Sequence, residues 1–217
     1  MTRSALTISA LIAGTAFSAF ASADDLKFNG LDYSGTLTGT VTFSNGSEHE
    51  HQTEDVYIGK LLFTDDHSTF ATVCADLSSP LDHEFHPYTD TDTNPLLDTN
   101  LSKAGNIVQA DFNKATNAQS AAALQLAVWS ALYNGGTTFN ANGADFKVTG
   151  VNHSVLDQAA IYFKDFNVKG SAEYYSSPAG CGGQSQLTAN PAPEPASMAA
   201  LGIGIVGLIA RRRKARA

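Results

Sequence analysis

The sequence predicts an α+β fold, a single β-rich domain of barrel or sandwich type with a few helices. Short runs of β-branched and aromatic residues, spaced by Gly and Thr, fill the stretch from Leu26 to Leu77. One long apolar segment with helix-type boundaries stands in the middle of the chain, from Ala118 to Tyr133. Roughly 155 residues lie between two ends of very different composition, the length of one ordinary domain with one core.

Taken in order, Phe28, Leu31, Tyr33, Leu37, Val41 and Phe43 predict two short strands or a hairpin between Leu26 and Ser44. Val56 to Phe63 and Thr69 to Leu77 read as two further strands. The polar stretch from Ser78 to Asn100, with Pro80, Pro87 and Pro95, reads as a long loop. Ser102 to Phe112 fits a helix. The clearest helix runs from Ala118 to Tyr133, with Asn117 as N-cap and Asn134-Gly135-Gly136 as the stop. A further helix is expected over Ser154 to Phe166, and late strands over Phe146 to Val151 and Ala172 to Tyr175.

The ends set the domain boundaries. Residues 1–23 have Arg3, an apolar run from Ala5 to Phe20 and the small residues Ala21-Ser22-Ala23, the pattern of a cleaved secretory signal peptide that leaves Asp24 first. Residues 24–175 form the domain. Residues 176–192, rich in Ser, Pro, Gly, Gln and Ala, read as a flexible linker. Residues 193–217 carry Pro193-Glu194-Pro195, an apolar segment from Ala196 to Ala210, and the basic end that begins with Arg211, Arg212 and Arg213. As a helix that segment reaches about 22 Å, short of a hydrocarbon core of about 30 Å. The arginines belong on the cytoplasmic side, which puts the body outside.

These three elements, in this order, closely resemble the PEP-CTERM sorting signal of Gram-negative bacteria. The resemblance implies an inner-membrane-anchored intermediate, an exosortase as sorting partner, and a final place at the cell surface or in an extracellular matrix, in a setting of exopolysaccharide and biofilm. An uncleaved C-terminal anchor is the other reading of the same residues.

Between Asp24 and Ala210 there are seven lysines and no arginine against twenty-one acidic residues, about −14 by count. That balance excludes a nucleic-acid partner, which needs a basic footprint, and suits solubility and cationic or amine-bearing partners.

Two residues call for a chemical explanation. Gln125 shares the core-facing stripe of its helix with Ala121, Val128, Trp129 and Leu132, and an unmet amide in a core costs about 1–3 kcal/mol. Cys74, in Phe70-Ala-Thr-Val-Cys-Ala-Asp-Leu77, is a lone thiol on an expected strand. One reaction answers both: the sulfur attacks the Gln125 carbonyl, ammonia leaves, and an intramolecular thioester stores an electrophile for amines. A core glutamine bonded to backbone is the plainer alternative.

Val73-Cys74-Ala75-Asp76 on a strand, followed by Leu124-Gln125-Leu126-Ala127-Val128-Trp129 on a helix, resembles the Cys–Gln thioester domain of bacterial surface adhesins. The resemblance implies a Cys74–Gln125 bond formed by self-catalysis without turnover, so no enzyme and no cofactor. It also implies an apolar pocket that includes Val73, Val128 and Trp129, and covalent attachment to an amine-bearing partner in adhesion. Asp76 is a candidate for proton transfer, or a strand-end carboxylate bonded to backbone.

The alternative is a non-covalent glycan- or calcium-binding matrix protein stabilised by a Cys74–Cys181 disulfide. Asp90-Thr-Asp92-Thr-Asn94 opens like a calcium loop, but Pro95 stands where the turn glycine belongs and Leu101 where the bidentate Glu belongs. His49-Glu50-His51 and His83-Glu84-Phe85-His86 lack the spacing that places two imidazoles on one helix face, so no metal site is assigned.

Overall fold

The computed structural model describes residues 23–44, 51–81, 83–93, 97, 99–178 and 181–190. The expected signal peptide before Ala23, the sorting segment and its Pro193, Glu194, Pro195, Arg211, Arg212 and Arg213 lie outside the described residues.

The strands are β1 (Ala23–Leu31), β2 (Leu37–Ser44), β3 (His51–Ile58), β4 (Leu61–Thr64), β5 (Thr69–Cys74) and β6 (Phe85–Asp92), followed by helices α1 (Asn100–Asp111) and α2 (Ala118–Trp129). Then come β7 (Phe146–Thr149), α3 (His153–Phe163), β8 (Ala172–Ser176) and β9 (Gln186–Ala189). Six strands close a barrel in the order β1-β4-β5-β9-β8-β6, and the remaining three make a sheet in the order β3-β2-β7. Every pairing is antiparallel. The α+β, β-rich expectation is therefore met, in its barrel form.

Several details differ from the sequence reading. The first two strands do not form a hairpin: β1 pairs with β4 and β6 in the barrel, whereas β2 pairs with β3 and β7. The apolar run Val56 to Phe63 is split at Gly59-Lys60, where the chain leaves the small sheet and enters the barrel. Lys60 is buried at that joint. Its ammonium donates to the carbonyls of Phe112 (2.7 Å) and Ala115 (2.9 Å) and lies over the Phe112 ring, and burial lowers its pKa. The stretch read as a loop from Ser78 to Asn100 contains β6, whose Asp90 and Asp92 pair in register with Tyr175 and Glu173 of β8. The opening of the supposed calcium loop is thus a strand.

The largest correction concerns the segment read as a flexible linker. Gln186–Ala189 is β9, and without it the barrel would stay open between β5 and β8. Its side chains are held by polar contacts rather than by an apolar face alone: the Thr72 hydroxyl donates to Gln186 Oε1 (2.9 Å), and the Thr188 hydroxyl donates to the Ala71 carbonyl (2.9 Å). Polar groups that are buried in this way need partners, and the barrel supplies them.

α2 lies at the centre. It begins in a capping box in which Asn117 Oδ1 accepts from the Ser120 amide (3.0 Å) and the Ser120 hydroxyl accepts from the Asn117 amide (3.1 Å). Residues Ala121 to Trp129 are all buried, so the helix is covered on every side rather than along one stripe. It packs on α1 and α3 and reaches β2, β3 and β5, the junction of the two sheets. Past Trp129 the helix widens into a π-turn over Ser130–Asn134, closed by Gly135 at φ +60°.

Candidate functional site

β5 and α2 bring Cys74 and Gln125 together, fifty-one residues apart in sequence. The Cys74 amide donates to Gln125 Oε1 at 2.8 Å, and Gln125 Nε2 donates to the Cys74 carbonyl at 2.7 Å. The glutamine, 1 % exposed, is thus clamped on both its polar atoms by the backbone of the cysteine. This is the backbone-bonded core glutamine allowed for in the sequence reading. It also holds the amide against the residue that carries the thiol.

Among the described residues the same fork occurs at two other places, one of them at Asn134, which accepts from the Phe146 amide at 2.9 Å and donates to its carbonyl at 3.0 Å. Gln109 of α1 grips Asn190, accepting from its amide at 2.8 Å and donating to its carbonyl at 3.3 Å. At neither place is a thiol present, and each fork ties a helical segment to the end of a strand. At Gln125 the fork has two further features, a sulfur on the clamped residue and a cavity at its side.

The Cys74 thiol is buried and donates to the Asp76 carbonyl at 2.9 Å. Burial pushes its pKa up to about 12, a shift that the Asp76 backbone contact and the Trp129 indole both oppose. Trp129 is 1 % exposed and its Nε1 has no hydrogen-bond partner, so the indole N–H approaches the sulfur without closing a bond of good geometry. The carboxylate of Asp76 is turned to its own loop, accepting from the Ser78 amide (2.8 Å) and from the hydroxyls of Ser78 and Ser79 (both 2.6 Å). That is the local-turn role of Asp, with no contact to the thiol proton.

A cavity of about 250 Å³ opens beside this pair, and Cys74, Gln125 and Trp129 all line it. Leu61, Leu77 and Pro80 supply apolar wall, and Glu54 and Asp55 of β3 stand among its lining. Val73 and Val128, expected in the pocket, are fully buried in the core and do not line the cavity. Successive residues of a strand face opposite ways, so Val73 points away from the side Cys74 serves.

Two residues escaped sequence reasoning. Tyr133 accepts from the Leu77 amide at 2.8 Å, and its pKa is raised by burial first, with Cys74 and Asp76 adding to the shift. The π-turn changes the helical phase after Trp129, so spacing alone could not place it there. Glu54 reaches the site only through the register of β3 on β2. Cys181 is a free thiol, as is Cys74, so the disulfide of the alternative reading is not formed. Among the described residues, no group of three or more His, Cys, Asp or Glu is arranged to hold a metal ion, and no helix is long and apolar enough to cross a membrane.

Residues 191–214 match the PEP-CTERM protein-sorting motif. The chain carries the signal of an exported protein that transits the membrane and is sorted by an exosortase. No curated protein and no solved structure matches the chain.

Proposed function

We propose that this exported envelope protein forms an intramolecular thioester between Cys74 Sγ and Gln125 Cδ and uses it once, to attach covalently to an amine-bearing partner in adhesion or matrix assembly. The observation that carries the reading is the two-point clamp of the Gln125 amide on the Cys74 backbone, beside a cavity. The Cys74 N–H polarises the Gln125 carbonyl and is placed to take the charge of the tetrahedral intermediate, the role of an oxyanion donor. The S–C bond forms, the C–N bond breaks, and the thiol proton leaves with the nitrogen as ammonia. The deep burial that makes the free thiol a poor nucleophile also shields the finished thioester from water. An amine that enters the cavity then forms the amide, and the sulfur recovers its proton.

The intact mass of the protein tests this. A deficit of about 17 Da, absent in Cys74→Ala, is the expected result of ammonia loss. Labelling by an amine that persists in Cys74→Ala would count against the thioester.

A further inference from the structure

We propose that Glu54 selects the acceptor: its carboxylate collects a primary alkylammonium on an aliphatic stem, as a lysine side chain carries, at the entrance of the cavity that holds Cys74 and Gln125. The inference rests on the thioester reading and adds to it the chemical class of the partner.

Cross-strand partners share a face, and Glu54 lies opposite Val41, whose side chain is fully buried. Glu54 therefore belongs to the inner face of the small sheet, the one turned to α2, along with Val56 and Ile58. Its neighbour Asp55 belongs to the outer face, where the Thr40 hydroxyl donates to it at 2.6 Å. Glu54 has no hydrogen bond or ion pair with any described residue, and it is exposed because β3 is the edge of its sheet. On that face of β3 the polar residues are Gln52 and Glu54, and Glu54, the one that lines the cavity, is a carboxylate with no structural partner to explain it.

The rest of the cavity fits the same ligand. Val56, Leu61, Leu77 and Pro80 offer apolar wall to a methylene stem. Trp129, which lines the same cavity, keeps its buried Nε1–H without a hydrogen-bond partner, beside the sulfur that the amine displaces. Collection at Glu54 raises the local concentration of the amine beside the thioester, and the fraction that has lost its proton to water reacts.

The test uses the whole chain with two reagents at neutral pH and low salt: n-butylamine, which is a cation there, and hydroxylamine, which is neutral. The variant is Glu54→Gln, and the readout is the rate of mass gain at Gln125. The expected result is that butylamine reacts on the order of threefold more slowly in the variant while hydroxylamine is unaffected. High salt should remove the difference by slowing the wild type. Equal butylamine rates in the two proteins, with hydroxylamine reacting normally, overturn the role of Glu54 and leave the thioester standing. If neither reagent modifies the wild type and its mass shows no ammonia loss, the thioester reading falls and the selection falls with it.

Discussion

Replacing Gln125 by Glu changes one group in the clamp, and its effect can be worked out in advance. The cleanest background is Cys74→Ala, where no thioester can form but both backbone groups remain. In its protonated form the introduced carboxyl can still accept from the residue-74 amide and donate to the residue-74 carbonyl, the two contacts now at 2.8 and 2.7 Å. Once ionised it keeps the first and sets a negative oxygen against a carbonyl oxygen in a site 1 % exposed. Burial of this order raises a carboxyl pKa by up to about 3–5 units above an unfolded value near 4.3. A raised folded-state pKa means that stability is intact below about pH 4.3 and is lost as pH rises toward the folded value, at about 1.4 kcal/mol per unit. Three units above, near pH 7.3, the loss is about 4 kcal/mol, a large share of the stability of a domain of this size. Urea unfolding of the two proteins, with Gln or Glu at 125, should give a difference below about 1 kcal/mol at pH 4.3 that widens to about 4 kcal/mol near neutrality. A difference that stays constant over this range would refute the clamp.

Two further outcomes follow from the same packing. In whichever molecules keep the free thiol, Cys74 should stay protonated as pH rises through 9 and ionise only near 12, so at pH 8 iodoacetamide should alkylate it roughly a thousandfold more slowly than in the urea-unfolded chain; rapid native alkylation, read by peptide mass, would contradict its burial. Gly105→Ala should destabilise by about 1–3 kcal/mol in a thermal melt, although Ala favours a helix by up to about 1 kcal/mol, because the new methyl would press into Thr93, which is held in place by two bonds to Ala172. A higher melting temperature would refute that tight contact.

What could be seen in advance depended on whether the cause was local. The start of α2 was legible because Asn117 caps by chemistry carried in the sequence itself, and its end because Gly135 takes a backbone conformation that suits glycine. Cys74 and Gln125 stood out as groups that a core does not accept without an explanation. β6 and β9 were not legible, since Asp90, Asp92, Gln186 and Thr188 have the composition of loops and become strand residues only through the neighbours that the closed barrel provides. Of the two short strands or hairpin expected from Leu26 to Ser44, the strands are present and the hairpin is not, because the two are parted between different sheets, a choice that local pattern does not express. Glu54 required the register of β3 on β2, and Tyr133 required the π-turn.

The placement of β9 has a mechanical consequence. Residue 190 stands immediately before the sorting segment, and it is bolted at three points: Gln109 grips its amide and its carbonyl, and its side chain donates to Asp92 at 2.7 Å. A pull from the tail therefore meets α1 and β6 first. Beyond them it meets a strand that is paired on both edges, so no free edge can be peeled and two ladders must yield together. One of those ladders joins Gln186 to Cys74. A load carried from α2 to β9 through the folded core crosses β5 at the residue that clamps Gln125.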